Sequence, residues 1–103
     1  MTRLLLTLLL LFGLNLSAQE KKAYQLEDGT IRVESYYSNN QVKEISFYWE
    51  NKPVGTWFKY DEQGNLIAKA EIKNGKPIKL FRYENGITTI IDRKKNSITK
   101  IKP

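Results

Sequence analysis

The chain has 103 residues, with 17 Lys and Arg against 11 Asp and Glu, and contains neither His nor Cys. That length is natural for one domain, and a composition 41% hydrophobic and 12% aromatic excludes a disordered tail. Without His or Cys, Ser-His and Cys-His nucleophilic pairs, zinc held by His and Cys, and stabilising disulfides are all excluded.

Met1-Thr2-Arg3 carries one positive charge, and Leu4 to Leu16 is almost purely Leu, broken by Thr7, Phe12, Gly13 and Asn15. Leu16-Ser17-Ala18 then leads into the polar Gln19-Glu20-Lys21-Lys22. A charged start, a short apolar core and a small-residue exit predict a secretory signal peptide over 1–18. The apolar core is shorter than the ~20 residues that a spanning helix needs. No Cys stands at the exit, so a lipoprotein anchor is excluded. The expected location is outside the cytoplasm, periplasmic or secreted. Residues 19–27 are read as a lead-in and 28–103 as the folded domain.

From residue 28 turn signals follow at short intervals: Asp28-Gly29, Asn39-Asn40, Asn51-Lys52-Pro53, Asp61 to Gly64, Asn74-Gly75, Asn85-Gly86 and Lys95-Asn96. Asn, Asp and Gly suit such positions because hairpin turns need positive φ. Between them lie runs rich in Ile, Val, Thr and aromatics. These predict strands over Thr30–Tyr37, Val42–Trp49, Val54–Tyr60, Leu66–Ile72, Ile78–Tyr83, Ile87–Ile91 and Ser97–Ile101. Alternation agrees: Ile45, Phe47 and Trp49 share a face, as do Leu66, Ala68, Ala70 and Ile72. Trp57 and Phe58 are neighbours and must point to opposite faces, which implies a sheet that curls or is covered. The predicted fold is all-β, an antiparallel meander of about seven strands with open edges.

The chain also repeats. Tyr37, Tyr60 and Tyr83 recur every 23 residues, as do Phe58 and Phe81, and Asn51-Lys52-Pro53-Val54 is echoed by Asn74-Gly75-Lys76-Pro77-Ile78. A period in the low twenties marks an array in which each unit is buried only by its neighbours. The run Asn51-Lys52-Pro53-Val54-Gly55-Thr56-Trp57-Phe58-Lys59-Tyr60-Asp61-Glu62-Gln63-Gly64-Asn65-Leu66 resembles a bacterial MORN-type repeat, whose pattern is approximately N-G-K-x-x-G-x-W-x-x-Y-x-x-x-G-x-L. Asn51, Lys52, Gly55, Trp57, Tyr60, Gly64 and Leu66 match it, and the first Gly is missing. The next unit matches at Asn74, Gly75, Lys76, Phe81, Tyr83 and Gly86, without the mid-unit Gly and Trp. The resemblance covers roughly residues 28–90 and points to short secreted MORN-like (MORN-type 2) proteins of Bacteroidetes-type bacteria. It implies degenerate 23-residue hairpin repeats that serve as scaffold or interaction surface. An adenylyltransferase label sometimes given to such proteins requires a His-x-Gly-His motif, which a chain without His cannot supply.

Little chemistry survives these exclusions. No Gly-rich phosphate cradle is present. Glu44 and Glu71 are the remaining candidates for a carboxylate pair, because both fall mid-strand. Asp61 to Asn65 lacks the alternating ligands and distal Glu of a calcium loop and reads as a hairpin turn. No enzyme activity, metal or cofactor is expected.

The leading expectation is a non-enzymatic exported module that binds another envelope or extracellular protein through its sheet surface or edge. Trp49, Trp57, Phe58 and Tyr60 are the contact candidates, drawn from the densest aromatic cluster; cross-strand pairing is the alternative role for that cluster. Charge supplies the second reading. Residues 19–68 have a slight acidic excess, whereas 69–103 are strongly basic. Arg93, Lys94 and Lys95, with Lys100 and Lys102 beyond, would then bind an acidic glycan or a membrane surface. Guarding an edge strand is the alternative for those charges. Nucleic acid is not an expected partner of an exported protein.

Overall fold

A computed structural model describes residues 20–103; the predicted signal peptide lies outside the described residues. Nine strands form one antiparallel sheet: β1 (Lys21–Gln25), β2 (Ile31–Tyr36), β3 (Val42–Trp49), β4 (Lys52–Pro53), β5 (Gly55–Tyr60), β6 (Leu66–Lys73), β7 (Lys76–Glu84), β8 (Ile87–Asp92) and β9 (Ser97–Ile101). Each strand pairs with the next in the chain, except that both β4 and β5 pair with β3. The path runs from β1 to β9 without closing, so among the described residues both end strands keep a free edge. The seven predicted strands are all present. The two additional ones are β1, whose Lys-Lys-Ala-Tyr-Gln has no apolar alternation and is held by pairing with β2, and the short β4.

Turn chemistry explains the connections. Asn74-Gly75 and Asn85-Gly86 each place two residues at positive φ between paired strand ends, the geometry of a type I′ hairpin. Glu50-Asn51 does the same between Trp49 and Lys52, one residue ahead of the predicted turn. Pro53 therefore lies within β4, where pairing on one side only tolerates a missing N–H. Four hairpins instead use a longer loop with one residue in the left-handed region, at Gly29, Asn40, Gly64 and Asn96.

The 23-residue spacing recurs in two hydrogen bonds. The Tyr37 hydroxyl donates to the Tyr60 carbonyl at 2.8 Å, and Asn39 Nδ2 donates to the Glu62 carbonyl at 3.0 Å, both across 23 residues. The loop bonds closing Tyr37 to Gln41 recur between Asp61 and Asn65, so the two Tyr residues occupy different places in their hairpins.

There is no second layer and no buried apolar core among the described residues; Ser35, at 8% exposure, is the one buried residue. Stability rests on strand ladders and cross-strand side-chain pairs. The radius of gyration is 16.9 Å, against about 12 Å for a compact domain the size of residues 20–103. The smallest extent, 30 Å, exceeds the roughly 10 Å thickness of a flat layer, so the sheet is twisted and curved.

Three carboxylates at the turns, two in loops and one at the end of β8, are tied to backbone. Asp28 accepts from Thr30 N, Asp61 from Asn65 N and Gln63 N, and Asp92 from Lys95 N and Lys94 N. These bonds hold all three below the usual carboxylate range. A folded-state pKa below the unfolded one stabilises above the unfolded pKa and is lost as pH falls through the folded value. Thermal melts are therefore expected to be flat near neutrality and to fall once pH drops below the ordinary carboxylate range. Asp61→Asn should flatten that acid limb; an unchanged limb would remove Asp61 from the account.

Candidate functional site

Pairing register sorts side chains onto two faces. Trp57 pairs with Ala70, Ala70 with Leu80 and Leu80 with Ile91, so these four form one row across β5 to β8. Glu44, Lys59, Ala68, Arg82 and Thr89 form the adjacent row on the same face. Together the rows line an open cavity of about 300 Å³, at the lower end of the ~300–1,000 Å³ typical of small-molecule sites. The floor is β6, which presents only the methyl groups of Ala68 and Ala70. β5 and β7 form the walls with longer side chains.

Trp57 is fixed by two bonds. Its Nε1 donates to the carbonyls of Phe47 and Val54, each at 3.1 Å, and its ring lies 5.2 Å from that of Tyr48. Phe47 O also accepts Val54 N. Residues 54–57 thus wrap around one carbonyl, and Gly55 makes the bend at φ +75°.

The opposite face carries Ile45, Phe58, Lys69, Phe81 and Ile90, each paired with the next. Lys69 Nζ sits 4.6 Å from the Phe81 ring centre, and the Arg32 guanidinium 5.9 Å from that of Phe47. On β2, Glu34 accepts from the Tyr36 hydroxyl and from Arg32 Nε. The Tyr36 hydroxyl is pushed up to about 12, chiefly by that bond.

The four predicted aromatic contacts are therefore divided between faces. Trp57 walls the cavity. Trp49, Phe58 and Tyr60 follow the alternation of Phe47 and Phe58 onto the other face, where Trp49 is 47% exposed. Glu44 and Glu71 also separate, because Glu44 pairs with Lys59 whereas Glu71 pairs with Thr56; they cannot flank one bond. Arg93, Lys94 and Lys95 are brought together in the β8–β9 loop, all exposed, over the backbone bonds to Asp92. Among the described residues no cluster of three or more acidic side chains is placed to hold a metal ion.

Sequence reasoning missed the cavity, with Lys59, Ala68, Ala70 and Arg82. The alternation of Ala68 and Ala70 was visible. Its flanking walls depend on register, which is set by bulges at Lys59/Tyr60 and Glu71/Ile72. The first of these also sets Leu66 opposite Tyr60 and removes it from the alanine row. Comparison with protein-family models, with curated proteins and with solved structures finds no match for the chain.

Proposed function

We propose that this protein is a non-enzymatic, exported interaction module that recognises another envelope or extracellular protein through its exposed sheet. The observation supporting this reading is that the described residues form a single open layer with no buried apolar side chain and two unpaired edges. Apolar residues that a sandwich would hide are accessible, including Trp49 on β3 and Ile98, 69% exposed, on the β9 edge. Exposed apolar area and free edges are the features by which sheets take partners. The resemblance of residues 51–66 to a MORN-type unit favours the same role.

The test is retention from envelope extract by the immobilised protein, washed at low and then high salt. A partner retained at high salt, and lost with Trp49→Ala or Ile98→Lys, is the expected result. Retention indifferent to both substitutions would defeat it. Release by salt, abolished in a variant with Gln at 93, 94 and 95, would favour the second reading. In that reading the exposed β8–β9 loop binds an acidic glycan or membrane surface, through attraction screened within ~8–10 Å.

A further inference from the structure

The cavity is graded along its floor. Ala68 pairs with Lys59 on one side and Arg82 on the other. Two residues on, Ala70 pairs with Trp57 and Leu80. A trough along β6 therefore has a cationic end over Ala68 and an apolar end over Ala70, roughly 7 Å further along the strand. The two cation-bearing backbones stand roughly 10 Å apart, two strand spacings. Both exposed side chains are long enough to reach one anion placed between them. At the other end, the fixed indole of Trp57 and the Leu80 side chain face each other across a methyl floor. Glu44, opposite Lys59 on β3, is the one acidic group lining the trough, and no ion pair joins it to Lys59 among the described residues.

We propose that this trough binds a small amphiphilic carboxylate, an alkyl or aryl acid, with the carboxylate held between Lys59 and Arg82 and the apolar body between Trp57 and Leu80. Charge complementarity selects the headgroup, since a cationic or neutral amphiphile would leave both cations unpaired. The width and volume suit a single chain or ring and are too narrow for a helix, whose diameter is ~10–12 Å. Protein recognition at Trp49 uses the opposite face and so is separate from this site, whereas Ile98, paired with Ile91, continues the trough-face row at the β9 edge.

The test uses Trp57 as its own reporter, in a Trp49→Phe background, titrated with decanoate below its micelle concentration. The expected result is a saturable change in Trp57 emission that decyltrimethylammonium does not produce at equal concentration. Lys59→Gln with Arg82→Gln, both exposed and tolerant positions, should weaken decanoate about tenfold or more, the scale of a charge-assisted bond. Glu44→Gln should tighten it. An equal response to the cationic amphiphile, no effect of the double variant, or no saturable change would each overturn the proposal. Failure here leaves the extract retention that depends on Trp49, on the other face, unaffected, so the two readings fail separately.

Discussion

Trp57→Ala is expected to destabilise the sheet by about 3.5 kcal/mol, toward the low end for removing a large aromatic because the ring is only half-buried. The loss has two parts. Roughly 100 Å² of apolar contact with Tyr48 and the trough wall contributes ~2.5 kcal/mol. The bonds from Nε1 to the Phe47 and Val54 carbonyls add about 1 kcal/mol. Total stability for a domain of this size is roughly 4–12 kcal/mol, and no core among the described residues shares the load. The melting temperature should fall by about 15 °C, followed by far-UV circular dichroism. Trp49→Ala, at an exposed position, should fall within about 0.5 kcal/mol of the parent. A Trp57→Ala variant no less stable than Trp49→Ala would show that the indole anchors nothing. It follows that Trp57→Ala cannot serve as a clean test of partner binding.

Much of the meander was legible because turn residues carry a local signal. Asn74-Gly75 and Asn85-Gly86 mark hairpins whatever surrounds them, since few other pairs accept two positive φ values. The strands between them announced themselves by alternation. β1 was not legible, because Lys21, Lys22 and Gln25 have no β signature and order only against β2. Two Tyr residues spaced by 23 are joined directly, through the Tyr37-to-Tyr60 bond. The spacing did not mark equivalent positions, because Tyr37 opens its loop whereas Tyr60 precedes Asp61, which opens the next.

The site was less legible for a physical reason. A face is assigned by counting residues, and one bulge shifts the count. Ile67 and Ile78 are the extra residues at two such shifts, and nothing in an Ile side chain marks it as unpaired. The aromatic cluster looked contiguous in sequence, yet pleating sends Trp57 one way and Phe58 the other. What brings Lys59 and Arg82 to either side of Ala68 is pairing between segments that share no local pattern.

Gly55→Val is the second substitution expected to have a large effect, a loss of about 2–3 kcal/mol. The cause is backbone rather than space. A Cβ built at residue 55 would meet its nearest neighbour, Phe47, at 3.8 Å, an ordinary contact. At φ +75°, however, any L residue is strained by ~1–2 kcal/mol, and a β-branched one by more. Gly55→Asn, which tolerates this region, should recover most of the loss. The strain would act on a particular contact, since residue 55 connects Val54, whose N–H and carbonyl hold the Phe47 corner, to Trp57. Relaxing φ there swings Trp57 away from both of its acceptors. Combining Gly55→Val with Trp57→Phe should accordingly cost less than the two losses added, by at least ~0.5 kcal/mol, the scale expected for residues sharing one network. Strict additivity would mean that the bend and the indole stabilise the sheet separately. A subadditive result would make Gly55 and Trp57 one device, which bends β4 into β5 and sets the wall of the trough.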